Sequence, residues 1–483
     1  MKNIENISSR RKFMTMGAST AAVLLGGAAL TNKAQATSIN GNVLSNGTSV
    51  IHSNVKCMVA DNSLKLGDSI STLGYHQIGD DGDNIYIVVN HLFAGVDGGA
   101  VIKLHDGLQA QAVFPGGEIR VEQFGAVGFT NANQVELSID NTIAMTNAHK
   151  TGQVINYGAK LYRFNTLVIP FGGIIGRGDS TVLESIDTSV NDVITYQGQA
   201  NNGDVAGVFK DFSLSVANSM QKQSGAGIKL GYFAKSDNYT AHINNVTIKN
   251  LPTSIHTTNA SCNTIKASHF SGYAHQGIVV DVINKYIHER DSDIENNVLV
   301  SHLAKAVGIQ YHGGNIKIIN NKINGGFVGI ELAVTNARPM AQICGNSFEK
   351  QNKNCLRFTT ETLFTVDDNN DFTQILISQN RMNASMTTGA AIYIAPSTFT
   401  LGDLSINNNL IRFHGNEKSI AAIDINNSTR FMVNNNSINC HKGKGHRGIH
   451  ISEDCSSGIL SANHVILPLN GHTLNLSTTT TVV

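Results

Sequence analysis

The sequence is poor in several residue types that mark other classes of protein. Its 483 residues include no Trp, only 6 Pro and 14% charged residues, and 35 basic and 35 acidic side chains give a formal net charge of zero. This neutral balance argues against nucleic-acid binding, because such proteins need a basic surface that displaces counterions from phosphates. Low charge together with 41% hydrophobic residues also excludes a disordered, highly charged tail.

Short motifs of several enzyme classes are also missing. The sequence contains no phosphate-binding P-loop, no His-Glu-x-x-His zinc motif and no Gly-x-Ser-x-Gly nucleophile motif. We therefore predict no cofactor and no bound metal. Asp367, Asn369 and Asp371 have the spacing of a calcium loop, but Phe372 stands where the turn Gly belongs, so a solvated acidic loop is favoured there.

The first 36 residues have the composition of an export signal. Ser9-Arg10-Arg11-Lys12-Phe13 precedes a moderately apolar run, and Ala34-Gln35-Ala36 forms a small-x-small cleavage site. The run is too short and too rich in Gly, Ala and Thr for a membrane span, so no stable membrane anchor is expected. The Arg pair resembles a twin-arginine signal, with an ordinary secretory signal as the alternative. We predict export to the periplasm or the cell exterior, with the mature chain starting near Thr37.

Six cysteines follow the signal, and their spacing matches no metal motif. An oxidising compartment permits disulfides, and Cys344 with Cys355 or Cys440 with Cys455 are the candidate pairs. Isolated buried thiols are the favoured interpretation.

Asparagine is abundant, with 54 residues, and part of it follows a repeat. From about residue 240 the pattern apolar-x-x-Asn-x-apolar recurs every 24 to 34 residues, roughly the length of one solenoid turn. The repeated polar position is occupied by Ser268, Asn297, Asn321, Asn346, Asn380, Asn409, Asn436 and Asn463. Asn side chains at one repeated turn can hydrogen-bond along a stack, which would satisfy them inside the molecule.

A second pattern, small-apolar-x-apolar, follows each first one, as in Gly308–Tyr311 and Gly329–Leu332. Both elements are short and alternate with period two, so both are predicted to be strands. Two or three short strands per turn, repeated about nine times, predict an all-β parallel β-helix, in which stacked turns bury a shared core.

Two segments carry a resemblance to known proteins. Phe124–Gly128 followed by Asp140–Ala144 resembles the opening of the pectate-lyase-3 and rhamnogalacturonase/epimerase-like family, with Phe129-Thr130 in place of Asp-Gly and Asn141 in place of the second Asp. The resemblance implies a right-handed, single-stranded, pectin-lyase-like β-helix that acts on polysaccharides. Ser63–His76 with Gly79–Tyr86 is similar to the N-terminal module of bacteriophage tailspike depolymerases. Tailspikes are commonly homotrimers, so a homotrimer is an expectation here.

These features divide the chain into a signal over 1–36, a small N-terminal β-module over 37–118 and the β-helix over 119–483. A short helix over about 138–150 is expected to cap the open end of the solenoid. Ile139, Ile143 and Ala144 are predicted on its apolar face.

In each small-apolar-x-apolar strand, x should face outward, because successive side chains alternate. We call this outward column the stripe; it runs Lys229, His256, Val279, Gln310, Glu331, Arg357, Tyr393, Asp424, His450. The next outward position places Asp281 and His312 beside it. A linear strip of carboxylate, guanidinium, imidazole and phenol suits a long polar polymer, so a polysaccharide is the predicted partner.

Two chemistries fit these residues. Glycosidic hydrolysis needs two carboxyl groups, one of them protonated, and Asp281 with Glu331 is the candidate pair, at a Cα separation of about 12 Å. β-Elimination from a uronic acid needs a base, for which Tyr393 or His312 is the candidate, and a cation, for which Arg357 is the candidate. An ion pair between Glu331 and Arg357 would make Glu331 a poor acid.

Further residues are predicted to bind substrate or to compete for the catalytic role. Gln310, His256 and Asp424 lie on the stripe, and a loop after the Asp281 strand carries Glu289, Asp291 and Asp293 as rival acids. We predict an exported polysaccharide-degrading enzyme, with hydrolysis slightly favoured over lyase chemistry. A non-catalytic carbohydrate-binding or adhesin β-helix is the third alternative.

Overall fold

A computed structural model describes most of the chain. The described residues are 47–90, 95–130, 139–187, 189, 191–198, 206–217, 224–231, 240–258, 263–281, 292–312, 315–334, 340–360, 374–384, 389–396, 401–414, 421–440, 447–467, 472–475 and 481–482. The predicted signal, Cys262, Glu289, Asp291 and the 367–371 loop lie outside them.

Residues 49–113 form a small β-unit. Its sheet runs parallel between the first two strands and antiparallel elsewhere. The strands are Ser49–His52, Ser69–Thr72, Asn84–Val89, Val101–Lys103 and Gln109–Val113. The helix Val55–Val59 and the 3₁₀ turns His105–Gly107 and Pro115–Gly117 connect or follow them. Met58, Ile70 and Tyr86 are among the buried residues of its separate hydrophobic core.

The rest of the described chain winds through two long sheets, which we call the wide sheet and the narrow sheet. The wide sheet contains Ile119–Arg120, Val154–Asn156, Leu161–Phe164, Gly173–Ile175, Val182–Ser185, Gly207–Val216, Ala241–Lys249, Thr264–Lys266, His269–Ser271, Ser292–Glu295, Val298–Ser301, Asn315–Ile319, Lys322–Gly325, Met340–Cys344, Ser347–Glu349, Gln374–Ser378, Arg381–Ala384, Leu404–Asn407, Leu410–Phe413, Phe431–Asn434, Ser437–Cys440, Ile459–Ser461, His464–Ile466 and Thr481–Val482. The narrow sheet contains Leu167–Ile169, Ile194–Tyr196, Ala226–Leu230, Thr253–Thr258, Gln276–Asp281, Val307–Tyr311, Val328–Val334, Asn354–Thr360, Ile392–Ile394, Ala421–Ile425, Arg447–Ile451 and His472–Asn475.

Each regular turn supplies two strands to the wide sheet and one to the narrow sheet. Strands pair in parallel with the equivalent strands one turn away, as when Ile265 pairs with Ile294 and Phe270 with Leu299. The inward residues of a single turn, such as Ile265, Phe270 and Ile278, are buried in one continuous core. This arrangement confirms the predicted all-β parallel β-helix.

The first repeated element is a corner, not a strand, which corrects that part of the sequence interpretation. In Ile294–Leu299 the first apolar residue lies in one strand, which ends at Glu295, the last lies in the next strand, and Asn296 between the two strands has φ of 58°. Equivalent corners have left-handed residues at Asn320, with φ of 57°, and Gly345, with φ of 69°. The period-two interpretation failed because a single left-handed residue redirects the chain between two short apolar segments.

Buried asparagines form a ladder at this corner, as predicted. Asn380 Nδ2 donates to the Ile343 carbonyl oxygen at 2.9 Å and to Asn409 Oδ1 at 3.0 Å. Asn380 Oδ1 accepts from Asn346 N at 2.9 Å and from Asn346 Nδ2 at 3.1 Å. The ladder consists of Asn297, Asn321, Asn346, Asn380, Asn409, Asn436 and Asn463. Ser268 extends it, because its backbone N–H donates to Asn297 Oδ1.

A helix packs against the first turns of the solenoid, but it begins later than predicted, and of its predicted apolar face only Ala144 packs, partly buried, against the core. It spans Thr142–Lys150, and its buried residues are Met145, Ala148 and His149. Ile143, predicted to face the core, is 76% exposed. The buried Asn141 side chain exchanges hydrogen bonds with the backbone of Val127, and this anchor rotates positions 145 and 148 inward.

Neither candidate cysteine pair forms a disulfide. Cys344 Sγ lies 3.0 Å from Ser378 Oγ, and Cys455 Sγ contacts the Ile425 carbonyl oxygen at 3.5 Å. Burial raises the pKa of Cys440 to about 11 and raises that of Cys355 further, so both thiols are protonated at neutral pH. Among the described residues no helix has the length and apolarity needed to span a membrane.

Candidate functional site

The stripe has the predicted order on the narrow sheet. Gln310 pairs with Glu331, Glu331 with Arg357, and Arg357 with Tyr393, each on adjacent parallel strands. The same register continues to Lys229 at one end and His450 at the other. Neighbouring side chains in such a column are about 4.8 Å apart at the backbone, so adjacent members can contact one another directly.

The stripe residues were expected to face solvent, but two of them are buried. Val279 is 6% exposed and Glu331 is 5% exposed. Glu331 is on the outer face, but hydrogen bonds from Gln310 and Arg357 hold these two side chains against it. Facing outward from a strand therefore does not ensure solvent contact when long neighbours lie on both sides.

The centre of the stripe is one connected polar chain. Arg357 Nε donates to Glu331 Oε1 at 2.7 Å, and Arg357 Nη2 also bonds this oxygen. Gln310 Nε2 donates to Glu331 Oε2 at 3.3 Å, and Gln276 Nε2 donates to Gln310 Oε1 at 3.0 Å. The ion pair considered from the sequence is therefore present. A carboxylate that accepts from a guanidinium and an amide is poorly arranged to donate a proton.

A second cluster lies beside the stripe, where Asp281 stands between two imidazoles. His256 Nε2 is 2.7 Å from Asp281 Oδ2, and His312 Nε2 is 3.3 Å from Asp281 Oδ1. An ionised carboxylate only accepts hydrogen bonds, so the His256 ring nitrogen donates to Asp281, while the His312 ring nitrogen lies in contact with the other carboxylate oxygen. Each imidazole is thereby oriented by the same acid.

The surroundings of Asp281 favour its ionised form. Burial alone would raise the pKa of this carboxyl. The hydrogen bond from His256 and the favourable electrostatic interactions with His312, His256 and Lys229 outweigh burial, so the pKa of Asp281 lies below its ordinary value. Asp281 is thus a carboxylate at neutral pH and not a proton donor.

The far end of the stripe holds a phenol and a second Asp–His pair. His450 Nδ1 is 2.8 Å from Asp424 Oδ1, and Asn426 Nδ2 donates to the same oxygen at 3.1 Å. Burial, followed by the negative charge of Asp424, raises the pKa of Tyr393, and Arg357 offsets only part of this rise. Tyr393 is therefore a neutral phenol at physiological pH.

Asp293 does not join these groups. It lies in the strand Ser292–Glu295 of the wide sheet, where its Oδ1 is 3.8 Å from Lys317 Nζ, so its prediction as a rival acid is wrong. The sequence pattern places Asp293 in a loop, because only Ile294 in this strand matches the repeated apolar positions and nothing marks the start at Ser292. Within the described ranges no group of three or more His, Cys, Asp or Glu side chains is arranged to hold a metal ion.

Sequence reasoning missed Gln276 and Thr253, which extend the polar chain. Thr253 Oγ1 donates to Gln276 Oε1 at 3.0 Å, and these two residues pair on adjacent strands. Both precede the small residue of the second repeated pattern, at the start of the narrow-sheet strand. A third outward column at this position, read in the same way as the stripe, would have identified them.

Solved structures with the same architecture extend over most of this chain. The A-module of mannuronan C-5 epimerase AlgE6 from Azotobacter vinelandii matches with a TM-score of 0.53 and 14% identity, over 76% of this chain and 98% of that one. The Streptococcus pneumoniae surface protein and adhesin PfbA matches with a TM-score of 0.51 and 15% identity, over 76% of this chain and 100% of that one. The Agl-KA catalytic domain matches with a TM-score of 0.50 and 13% identity, over 79% of this chain and 73% of that one.

No protein-family model and no curated protein matches the sequence. The structural likeness agrees with the parallel β-helix resemblance read from Phe124–Gly128. At these low identities it establishes the fold and leaves the chemistry to the side chains.

Proposed function

We propose that this protein binds an acidic polysaccharide along the narrow sheet and cleaves it by β-elimination. One similar structure is a mannuronan epimerase module, and another is an adhesin, so the fold hosts polymer-directed functions. The observation that carries the choice of chemistry is the Asp281 carboxylate between His256 and His312, which supplies an oriented imidazole beside the stripe.

His312 is the proposed base. Its imidazole removes the proton at C5 of a uronate, the electron pair forms the C4–C5 double bond, and the C4–O bond to the leaving sugar breaks. Asp281 orients His312 and stabilises the imidazolium that forms. This division of work between an acid and an imidazole is familiar from hydrolytic triads.

Arg357 and Tyr393 complete the proposed reaction. Arg357 donates two of its five N–H groups to Glu331, which leaves donors that can neutralise the substrate carboxylate as charge develops. Tyr393, kept neutral by its raised pKa, protonates the leaving oxygen. His312 and Arg357 are two strands apart, with a Cα separation of about 12 Å that their side chains can bridge around one sugar.

Hydrolysis is less well supported than the sequence suggested. It requires one carboxyl group that stays protonated at working pH. Asp281 is held ionised by the charges around it, and Glu331 accepts hydrogen bonds from Arg357 and Gln310. Neither member of the predicted pair has the environment of a general acid.

A non-catalytic glycan-binding role is the second candidate. The central side chains of the stripe satisfy one another, as expected for a rigid recognition surface, and the adhesin match shows that the fold is not restricted to enzymes. Such a protein would retain a polymer without shortening it.

One incubation distinguishes elimination, hydrolysis and binding without cleavage. Purified protein is mixed with polygalacturonate, alginate or uncharged dextran, and both product size and ultraviolet absorbance of an unsaturated uronate are recorded. Shortening with new absorbance supports elimination, while shortening without absorbance supports hydrolysis. Retention with neither change supports binding alone.

Export and trimer formation remain predictions. Twin-arginine export is tested by changing Arg10 and Arg11 to Lys and following the protein into the periplasm, with N-terminal sequencing for a start near Thr37. Sedimentation of the mature protein tests the trimer, since a mass of one or two chains would contradict it.

A further inference from the structure

The outer face of the wide sheet carries two arginines that lack the ion pairs seen elsewhere in the molecule. Arg381 pairs through the backbone with Ser347 on one side and Leu410 on the other, and Arg412 pairs with Asn383. Both side chains are exposed, and no described residue forms a hydrogen bond or ion pair with either guanidinium.

Several other basic residues on the solenoid have acidic partners. Arg163 Nε is 2.7 Å from Glu184 Oε2, and Lys266 Nζ is 3.1 Å from Glu295 Oε2. Each of these partners occupies the matching position on a neighbouring strand. At the positions that pair with Arg381 and Arg412 the sequence instead places the uncharged residues Ser347, Leu410, Asn383 and Asn439.

The two arginines border a shallow depression. Its empty space, including the solvent at its mouth, is about 290 Å³. Its outward-facing lining consists of Ser347, Glu349, Arg381, Asn383, Leu410 and Arg412. Leu410 is 40% exposed; it pairs with Arg381 on the adjacent strand and precedes Arg412 by two residues on its own strand. The positions of Arg381 and Arg412 differ by one strand and two residues, which puts their Cα atoms about 8 Å apart on one face.

We infer that this depression, the arginine-pair site, binds an anionic glycan through its carboxylate or sulfate groups. A guanidinium presents a planar fork that bonds both oxygens of such a group. Leu410 offers an apolar surface for the C–H face of a sugar, and Asn383 and Ser347 supply hydrogen bonds for hydroxyls. A site combining two unpaired forks with one aliphatic side chain fits a charged sugar better than a bare anion.

A nucleic acid fits these observations less well. Phosphate-backbone binding needs many basic contacts, and the chain has a net charge of zero. The arginine-pair site lies on the wide sheet, whereas the stripe lies on the narrow sheet, so this inference does not depend on the proposed cleavage.

The test compares two double variants that remove the same charge from the mature chain. The double variant Arg381→Ala with Arg412→Ala removes both guanidinium groups from the arginine-pair site. Arg177→Ala with Arg430→Ala is the control, because these exposed arginines lie near Glu118 and Asp403 instead. Binding to immobilised polygalacturonate, dextran sulfate, uncharged dextran and single-stranded DNA is measured at low and high salt.

The site variant is expected to lose at least tenfold in affinity for one or both acidic glycans, and the control less than twofold. Arg381→Lys with Arg412→Lys should recover only part of the affinity, because Lys keeps the charge but not the fork. Equal losses in both double variants, no loss in the site variant, or DNA binding that falls as much as glycan binding would overturn the assignment.

Discussion

Two columns of side chains run along the axis of this molecule with the same spacing and opposite character. The buried ladder uses one residue type at seven successive corners, from Asn297 to Asn463, and each of the first six amides donates to the next amide oxygen. The stripe changes residue at almost every step, and its side chains form irregular groups such as Glu331 with Arg357 and Asp424 with His450. Every corner of the ladder has the same surroundings, so the same residue is found at each one. The stripe lies on an equally regular scaffold but varies in sequence, which indicates that its residues serve binding or catalysis and not the fold.

The largest expected effect is at His312, which lies beside the stripe. His312→Ala should lower the rate of polysaccharide cleavage by about a hundredfold to ten-thousandfold, because general-base catalysis contributes on that scale. Initial rates of absorbance increase on the active acidic polymer measure it.

The matched control is His464→Ala, which removes an exposed imidazole from the wide sheet. It should leave the rate within twofold. A His312→Ala enzyme as fast as the control would exclude the proposed base and separate the stripe from catalysis.

The second prediction removes one amide from the buried asparagine ladder. Asn380→Ala deletes a buried amide and leaves Asn346 N and the Ile343 carbonyl oxygen without these partners. We expect the free energy of unfolding to fall by about 3 kcal/mol, since buried unsatisfied groups carry the full desolvation penalty. Urea unfolding followed by circular dichroism measures the change.

Asn383→Ala provides the comparison for this loss, because Asn383 is an exposed Asn on the outer face of the next strand. Its effect should stay within about 0.5 kcal/mol. Similar losses at positions 380 and 383 would show that burial in the ladder gives Asn no special role.

An intermediate effect is expected where the stripe itself is buried. Glu331→Ala removes the acceptor of Arg357 and Gln310 and should lower the free energy of unfolding by about 1–2 kcal/mol. The loss is smaller than in the ladder because the Arg357 guanidinium can turn toward water. Paired urea titrations of Glu331→Ala and the double variant with Arg357→Ala measure it, and equal stability of wild type and Glu331→Ala would contradict a structural role for the pair.

The smallest effect depends on pH. The pKa of Asp281 is lower in the folded state than its ordinary value, so this carboxyl stabilises the fold above its unfolded pKa of about 4. That contribution is lost as pH falls through the lower, folded pKa. Asp281→Asn should therefore be less stable than wild type at pH 6 by about 0.5–1 kcal/mol and equally stable near pH 2. A stability difference that does not change with pH would contradict the ionised Asp281.

Much of the fold was readable from the sequence, because each turn repeats the same physical problem. The Asn positions and the order of the stripe from Gln310 to Tyr393 follow from periodicity alone. Periodicity could not show that a left-handed residue splits Ile294–Leu299 into two strands, or that the Asn141 anchor turns Ile143 outward. It also could not show which stripe residues pair, since that depends on side-chain length across strands, as with Arg357 reaching back to Glu331.

The ladder also gives the solenoid a direction. Each amide from Asn297 to Asn436 donates to a carbonyl oxygen of the turn before it and to the amide oxygen of the turn after it, so each of these turns is completed by its successor. A truncation between any two of these turns would expose a donor made for a neighbour that is no longer there. Shortened versions of this protein would therefore need a new terminal cap that supplies an acceptor in place of the missing amide oxygen.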